Sequence, residues 1–211
     1  MNKKNRSINY LNRFKCYFKD KYTRDAHERK IRSRSWFKLE EIDRIDNIIT
    51  NKKHIVDLGS YPGGWSQYIA KKTILQKNRE IIAIDITFMK PIEGVSFIQG
   101  DVMKQEFLDS FLGYLKKKPI DLLVSDMAPK TTGIASIDVS KSIYLAQLAF
   151  SIAKIVLINS GCFLVKVFQG DGFDAYLRTI RSYFSSVKIR KPKSSRSYSR
   201  EVFIVAGNKK K

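Results

Sequence analysis

The fold of this chain is decided by the stretch Val56-Asp57-Leu58-Gly59-Ser60-Tyr61-Pro62-Gly63-Gly64-Trp65-Ser66, in which an apolar run leads into a glycine-rich turn and then a helix. A strand, a glycine-rich turn and a helix, in that order, can hold an elongated cofactor over the edge of a sheet. Glycine lets the backbone approach such a ligand because it carries no Cβ. The spacing is neither G-x-G-x-x-G, which disfavours a dinucleotide, nor G-x-x-x-x-G-K-[ST], which excludes a P-loop for a triphosphate.

Outward from this stretch, short apolar runs rich in β-branched residues alternate with amphipathic segments. The runs predicted to be strands are 54–58, 81–86, 95–98, 121–124, 162–168, 187–189 and 202–206. The segments predicted to be helices are 65–77, 104–117, 137–159 and 172–185. This alternation predicts an α/β fold with a mostly parallel sheet and helices on both faces. Only the polar segment 191–200 separates the last two runs, so the last strand is predicted to be antiparallel. Seven such strands describe a Rossmann-like, class I methyltransferase fold.

The N-terminal segment differs in charge from the rest of the chain. Residues 1–34 contain twelve Lys or Arg and three acidic residues, with aromatic side chains among them. We therefore predict a basic RNA-binding arm at 1–34, followed at 35–211 by the domain whose strand pattern predicts a methyltransferase fold. A short amphipathic helix is predicted at 8–21, with Phe14 and Phe18 docking it on the domain. A second helix is predicted to begin with Ser33 or Ser35 as its N-cap.

Bulk composition narrows the partners and the compartment. The 211 residues carry 40 Lys and Arg against 20 acids, a formal net charge of +20, which predicts a polyanionic partner. The sequence contains no run of about 18 apolar residues, so no membrane helix is predicted. The N-terminus lacks the apolar core of a signal peptide. Cys16 and Cys162 have no Cys or His neighbour at metal-ligand spacing. We expect a protein of the reducing cytoplasm with no structural metal.

Two acidic residues follow the next strands in register with the glycine-rich turn. Asp85 ends the second strand, where a carboxylate can accept both ribose hydroxyls of a nucleoside. Asp101 follows the third strand, where it could bind an adenine amino group. Either acid alone could simply cap a turn, but the three features together predict a site for a nucleoside-containing cofactor.

Four further polar residues are predicted to meet at the same edge of the sheet. Asp126 ends the fourth strand, Lys166 interrupts the otherwise apolar fifth strand, Glu201 opens the last strand, and Lys38 lies on the helix before the sheet. If the last strand is antiparallel, its first residue lies beside the last residues of strands four and five, where open α/β sheets bind ligands. Lys166 could also be only a buried lysine paired with Asp126, because an unpaired lysine there would be costly.

The motifs together resemble the FtsJ/RrmJ family of ribosomal RNA 2′-O-methyltransferases over nearly the whole chain. The matching stretches are Arg32-Ser33-Arg34-Ser35-Trp36-Phe37-Lys38-Leu39, Asp57-Leu58-Gly59, Pro62-Gly63-Gly64-Trp65-Ser66-Gln67, Ser125-Asp126-Met127-Ala128-Pro129, Val165-Lys166-Val167-Phe168-Gln169-Gly170, Ser194-Ser195-Arg196 and Ser199-Arg200-Glu201-Val202. The resemblance implies a catalytic tetrad of Lys38, Asp126, Lys166 and Glu201. It implies S-adenosyl-L-methionine as cofactor, bound by Gly63, Trp65, Asp85, Asp101 and Asp126.

The resemblance to the bacterial branch also implies a substrate. Its members methylate the A-loop uridine of 23S ribosomal RNA in the assembled large subunit, and we expect a monomer with no obligate protein partner. Related enzymes that methylate a tRNA anticodon loop or an mRNA cap are the alternatives, as is a ribosome-assembly factor without catalysis. A NAD-dependent oxidoreductase is a further alternative because of the position of Asp85, but the dinucleotide motif is missing.

Two positions depart from the pattern of the bacterial members. Tyr61, after Ser60, stands where small residues are usual, and Lys130 stands where asparagine is usual. A tyrosine at 61 is expected to point away from the methionine part of the cofactor, and Lys130 adds a positive charge beside the catalytic edge.

A ribose hydroxyl keeps its proton at pH 7, so the reaction needs a general base and precise positioning. Burial and the like charge of Lys38 would favour a neutral Lys166 that takes this proton, whereas both carboxylates oppose it. Asp126 is expected to orient Lys166, and Glu201 to hold Lys38 or the ribose. A charged Lys166 that only steers the hydroxyl is the alternative. The residues expected to contact RNA, mostly through phosphates, are Arg32, Arg34, Lys191, Lys193, Arg196 and Arg200.

Overall fold

A computed structural model describes residues 21–210 of the chain. The helices, in chain order, are α1 (Lys21–Glu28), α2 (Ser35–Asp46), α3 (Gly64–Lys72), α4 (Gln105–Leu115), α5 (Ala135–Val156) and α6 (Phe173–Tyr183). The strands are β1 (His54–Leu58), β2 (Glu80–Asp85), β3 (Ser96–Gln99), β4 (Ile120–Ser125), β5 (Leu157–Phe168), β6 (Phe184–Arg190) and β7 (Glu201–Lys209).

The strands described within residues 21–210 form one sheet of seven in the order β3-β2-β1-β4-β5-β7-β6. The strands β1 to β5 run parallel to one another, whereas β7 runs antiparallel to both β5 and β6. The predicted α/β fold, with a mostly parallel sheet and an antiparallel last strand, is therefore confirmed. The antiparallel β7 matters for function because it begins at the edge where β4 and β5 end.

The sheet separates two hydrophobic cores because successive side chains of a strand point to opposite faces. One core contains Val56 and Val165 and is covered by α4, α5 and α6. The other contains Ile55 and Leu164 and is covered by α1, α2 and α3. Helices on both faces are thus also confirmed.

Within the predicted N-terminal arm, the residues that the structure describes pack against this second core. Ala26 of α1 is buried in it, and the Tyr22 ring lies 5.5 Å from the Phe37 ring. The helix predicted at 8–21 lies outside the described residues, apart from Lys21, which begins α1; Phe14 and Phe18 also lie outside them. The division into 1–34 and 35–211 stays a prediction.

Several element ends differ from the sequence-based expectation. The N-cap prediction for α2 was wrong: Arg34 precedes the helix, no side chain caps it, and the hydroxyls of Ser33 and Ser35 bond each other at 2.5 Å instead. Helix α5 ends at Val156, and β5 begins directly with Leu157, which pairs with Ile120 before an irregularity in the register. The other predicted helix ends were also late, since α3 ends at Lys72, α4 at Leu115 and α6 at Tyr183.

Helix α5 is long and apolar enough to cross a membrane by length and composition alone. In the structure it is a core helix, since Ala146, Ala149 and Ala153 are buried against the sheet. Close packing of small side chains against strands is the ordinary reason for such a composition, so α5 is weak evidence for a membrane span.

Candidate active site

Strand alternation places the three polar residues of the sheet edge on one face. Val124, Leu164 and Phe203 belong to the core beneath α2, and Asp126, Lys166 and Glu201 each lie two positions further toward the edge. Glu201 pairs with Phe168 in the antiparallel register, so it lies diagonally opposite Lys166. Lys38 extends from α2 toward the same face of the sheet. The structure thus brings together the four residues of the predicted tetrad.

These four residues form two hydrogen-bonded ion pairs. Lys166 Nζ donates to Asp126 Oδ1 at 2.8 Å and to the Asp126 carbonyl at 2.5 Å. Lys38 Nζ lies 2.7 Å from Glu201 Oε1 and donates to Oε2 at 2.8 Å. The Lys166 side chain is only 6% exposed. Burying a charge this deeply is tolerable because each lysine has a carboxylate partner.

The two pairs interact through Glu201. Burial alone would raise the pKa of Glu201, but the charge and hydrogen bond of Lys38, aided by the charge of Lys166, hold the pKa below its usual value. Lys38 Nζ also lies 5.7 Å from the centre of the Phe203 ring. Glu201 is therefore a carboxylate at neutral pH, and it fixes the position of Lys38.

A cavity of about 610 Å³ opens beside Asp126 at the ends of β1, β2 and β4. Three of the residues predicted to bind the cofactor, Asp85, Asp101 and Asp126, line it. Asp85 Oδ2 accepts the Tyr61 amide at 2.9 Å, and Asp101 Oδ1 accepts the Met103 amide at 2.9 Å. Both carboxylates keep an oxygen with further acceptor capacity. We call this the cofactor cavity.

Gly63 and Trp65, the other two predicted cofactor residues, do not line this cavity. The Trp65 ring is 2% exposed, packs on Phe203, and donates its Nε1 hydrogen to the Ser35 carbonyl at 2.9 Å. Gly63 precedes α3 with a φ of 110°, which favours glycine. The Gly63 amide already donates to the Ser60 carbonyl at 2.7 Å, so Gly63 has no free donor for a ligand of this cavity.

The glycine-rich turn leaves no room for a side chain at Gly59. Its φ is 75°, and a Cβ there would lie 2.6 Å from Met127 Cγ and 3.0 Å from the Met127 backbone. Asp57, directly before it, is fully buried and accepts the Ser66 hydroxyl at 2.6 Å through Oδ2. Its Oδ1 and the hydroxyl of Ser60 are buried without a hydrogen-bond partner in the described part of the chain.

Sequence reasoning missed the wall that α5 contributes to the cofactor cavity. Lys141, Tyr144 and Leu145 line it from that helix. Their spacing is that of any helix face, so no motif could have identified them. Tyr61 and Lys130, the two departures from the family pattern, also line this cavity, and Tyr61 is 54% exposed.

A second cavity, of about 660 Å³, opens on the other side of the tetrad. Lys38 and Glu201 line it together with Arg34, Arg196 and Arg200, three of the predicted RNA contacts. We call it the basic cavity. Segment 127–133 lies between the cavities, because Met127 and Lys130 line the first while Thr131 and Gly133 line the second.

Two of the remaining predicted RNA contacts, Arg32 and Lys191, bind backbone carbonyls of the protein itself. Arg32 donates to the carbonyls of Lys90 and Pro91, which holds it against the backbone. Lys191 Nζ donates to the Ser199 and Glu201 carbonyls at 2.6 and 2.5 Å. Burial lowers the pKa of Lys191, an effect that Glu201 opposes and Lys38 adds to. The Lys193 side chain is exposed and outside both cavities.

Within residues 21–210, no group of three His, Cys, Asp or Glu side chains could hold a metal ion. A Rossmann-like sheet with acidic residues at the ends of its strands, and two Lys–carboxylate pairs beside them, is typical of the class of α/β proteins that bind a nucleotide-like ligand at this edge.

Comparison with known proteins narrows this class. Residues 31–209 match the family model of FtsJ-like methyltransferases, so the chain belongs to that family and the predicted resemblance is confirmed. A protein of Blochmanniella pennsylvanica (strain BPEN), named Ribosomal RNA large subunit methyltransferase E, is 48% identical over 92% of each chain. The protein of that name from Blochmanniella floridana is also 48% identical, over 90% of this chain and 91% of its own.

Two solved structures are similar in fold to this chain. A ribosomal RNA methyltransferase from Plasmodium falciparum superposes with a TM-score of 0.75 and 31% identity, covering 84% of this chain and 98% of its own. Human methyltransferase-like protein 13, solved in complex with SAH, gives a TM-score of 0.55 at 14% identity, covering 76% of this chain and 74% of its own. The second likeness is one of fold alone.

Proposed function

We propose that this protein uses S-adenosyl-L-methionine to methylate a ribose 2′-hydroxyl of RNA. The proposed target is the A-loop uridine of 23S ribosomal RNA, in the assembled large subunit in the cytoplasm, with the protein acting as a monomer. The observation that carries the proposal is the position of the tetrad, which lies between an acidic cavity and a basic one. The names of the two Blochmanniella relatives support the choice of large-subunit RNA.

The residues of the cofactor cavity fit S-adenosylmethionine. Asp85 would accept the ribose hydroxyls and Asp101 the adenine amino group, while Gly59 permits a close backbone approach. When bound, the cofactor supplies an electrophilic methyl group.

The basic cavity would receive the RNA. The exposed Arg196 and Arg200 suit phosphate oxygens, whose contacts hold RNA without reading its sequence. Lys38, fixed by Glu201, would hold the target ribose at the boundary between the cavities.

Lys166 would remove the proton of the 2′-hydroxyl. Lys166 would first have to lose the proton that it carries in its ion pair with Asp126. Its neutral Nζ would then accept the hydroxyl proton, and Asp126 Oδ1 at 2.8 Å would stabilise the ammonium that results. The Asp126 carbonyl, also bonded to Nζ, keeps the nitrogen aimed at one point. The chain therefore supplies both a proton acceptor and its positioning.

The test is methyl incorporation into large ribosomal subunits that lack ribose methylation, with tRNA as an alternative substrate. Lys166→Ala should lower turnover by about 10²-fold or more, because a general base contributes about 10²–10⁴-fold. Lys117→Ala, at an exposed turn, is the matched control and should leave turnover unchanged. Near-normal turnover in Lys166→Ala, with intact cofactor binding and melting, would remove Lys166 from the chemistry.

A further inference from the structure

Tyr198 is a large aromatic side chain left in solvent beside the tetrad. It lies on the loop between β6 and β7, is 77% exposed, and lines the basic cavity together with Lys38 and Glu201. Among residues 21–210, its ring and hydroxyl make no aromatic contact or hydrogen bond. Its apolar surface is therefore available to a ligand of that cavity.

The loop that carries Tyr198 is held in place at several points. Lys191 Nζ bonds the carbonyls of Ser199 and Glu201, on the far side of Tyr198, and the Ser199 amide donates to the Arg196 carbonyl at 2.9 Å. At the start of the loop, the Lys193 amide donates to the Glu41 carboxylate at 2.9 Å. Fixing the backbone in advance lowers the entropic cost of binding through the ring.

The charges around Tyr198 favour a polyanion. Arg34, Arg196 and Arg200 line the same cavity, and the last two are exposed. Its two acids are already satisfied, since Glu201 is paired with Lys38 and Asp138 accepts the Thr132 and Gly133 amides. An exposed aromatic ring among arginines is the combination by which proteins bind single-stranded nucleic acid, through base stacking and phosphate contacts.

We infer that Tyr198 stacks on an unpaired nucleobase of the RNA substrate next to the ribose held at the tetrad. This inference rests on the proposed function and adds a selection rule to it. A base inside a duplex has both faces covered by its neighbours, so only a single-stranded loop or an extruded nucleotide can offer a face to the ring. Tyr198 is thus a specificity residue for unpaired target sites.

The first test compares Tyr198→Ala and Tyr198→Phe in the methyl-incorporation assay with large subunits. Tyr198→Ala should raise KM for the subunit about tenfold with kcat little changed, a loss within the range of one base–aromatic stack. Tyr198→Phe keeps the ring and should behave as the unmodified protein. Tyr114→Ala removes an exposed tyrosine of α4, away from both cavities, and should have no effect. Equal KM values for the Ala and Phe variants would overturn the inference.

The second test observes stacking directly in Tyr198→Trp. Trp36 and Trp65 are buried, so the added exposed indole dominates the response to ligand. A single-stranded oligoribonucleotide should quench its fluorescence strongly, and the same sequence as a duplex should quench it far less. Equal quenching by both forms would contradict the inference, as would a KM effect without quenching by any RNA, which would indicate a protein contact instead.

The two tests separate this inference from the proposed function. Methyl transfer by the unmodified protein with no difference among the Tyr198 variants would sink the stacking role alone. Absence of methyl transfer to any RNA would sink the proposed function, while the fluorescence titration would still decide whether Tyr198 stacks on a base.

Discussion

Each lysine of the tetrad is held by a different kind of acceptor. Lys166 is bonded both to the carboxylate and to the main-chain carbonyl of Asp126, whereas both carboxylate oxygens of Glu201 face Lys38. Removing the Asp126 side chain would therefore leave Lys166 one contact, while removing the Glu201 side chain would release Lys38. A substitution of Asp126 can therefore remove the charge of the pair while its carbonyl still positions Lys166. A substitution of Glu201 removes the charge and the positioning of Lys38 together.

The fully buried Asp57 carries a prediction of its own at this scale. Burial raises the pKa of its carboxyl from 3.8 to about 7; the Ser66 hydrogen bond opposes this, and the charges of Asp126 and Asp85 add to it. Between about pH 4 and 7 the unfolded chain loses this proton and the folded protein keeps it. The free energy of unfolding therefore falls as pH rises through that window, by up to about 4 kcal/mol at about 1.4 kcal/mol per pKa unit.

Asp57→Asn removes the titration and keeps an oxygen for the Ser66 hydroxyl. Urea unfolding at pH 5 and pH 8 should show a smaller loss of stability in the variant than in the unmodified protein. The same slope in both proteins would mean that Asp57 titrates normally in the folded state.

At the scale of elements, the C-terminal end of helix α2 is anchored to β6, the strand at one edge of the sheet. Asp46, whose side chain is 2% exposed, accepts Arg190 Nε and Nη2 of β6 at 2.7 Å and Lys188 Nζ at 3.1 Å. Burial raises the pKa of Asp46, but the bonds and charges of Arg190 and Lys188 outweigh it and leave the pKa below 3.8. The stability from this pair is present at neutral pH and is lost as pH falls below the unfolded value.

Arg190→Ala should lower the free energy of unfolding by about 1–3 kcal/mol, because it leaves a buried carboxylate with one weaker partner. It should also lower methyl transfer, since Lys38 lies on the same helix. Lys188→Ala is the matched control: this lysine is 51% exposed, and surface pairs contribute at most about 1 kcal/mol. Equal melting temperatures for the two variants would show that Arg190 does not anchor α2.

The sequence predicted the strands well and the helix ends poorly. Runs such as 54–58 mark strands directly, because β-branched residues in short apolar runs suit a buried sheet. The start of β5 at Leu157 depends on its pairing with Ile120, far away in the chain, which local sequence does not specify.

The residues of the site also divide into those that local sequence patterns could predict and those that depend on packing between distant segments. Asp126, Lys166 and Glu201 could be placed at one edge from the predicted strand directions, because the carboxyl ends of parallel strands and the amino end of an antiparallel strand lie at the same edge. The burial of the Trp65 ring and the use of Arg32 to hold Lys90 and Pro91 depend on side-chain packing between distant segments. No local motif distinguishes an arginine that binds RNA from one that binds its own backbone.

For the whole molecule, the net charge of +20 makes affinity for RNA dependent on salt. The logarithm of the association constant should fall linearly with the logarithm of salt concentration, since each neutralised phosphate releases counterions. The double variant Arg196→Ala, Arg200→Ala should reduce that slope by about one to two units. The double variant Lys116→Ala, Lys117→Ala, outside both cavities, is the control and should keep the full slope. Filter binding across a salt series measures both, and an unchanged slope in the arginine variant would place the phosphates elsewhere.

The strip of chain from Met127 to Gly133 has one further consequence. It separates the two cavities, so a ligand in either cavity would lie against it. If a ligand bound on one side changes the affinity for a ligand on the other side, thermodynamic reciprocity requires an equal effect in the opposite direction. The effect of a substitution in segment 127–133 therefore has to be measured on binding at both cavities, with one titration for each ligand.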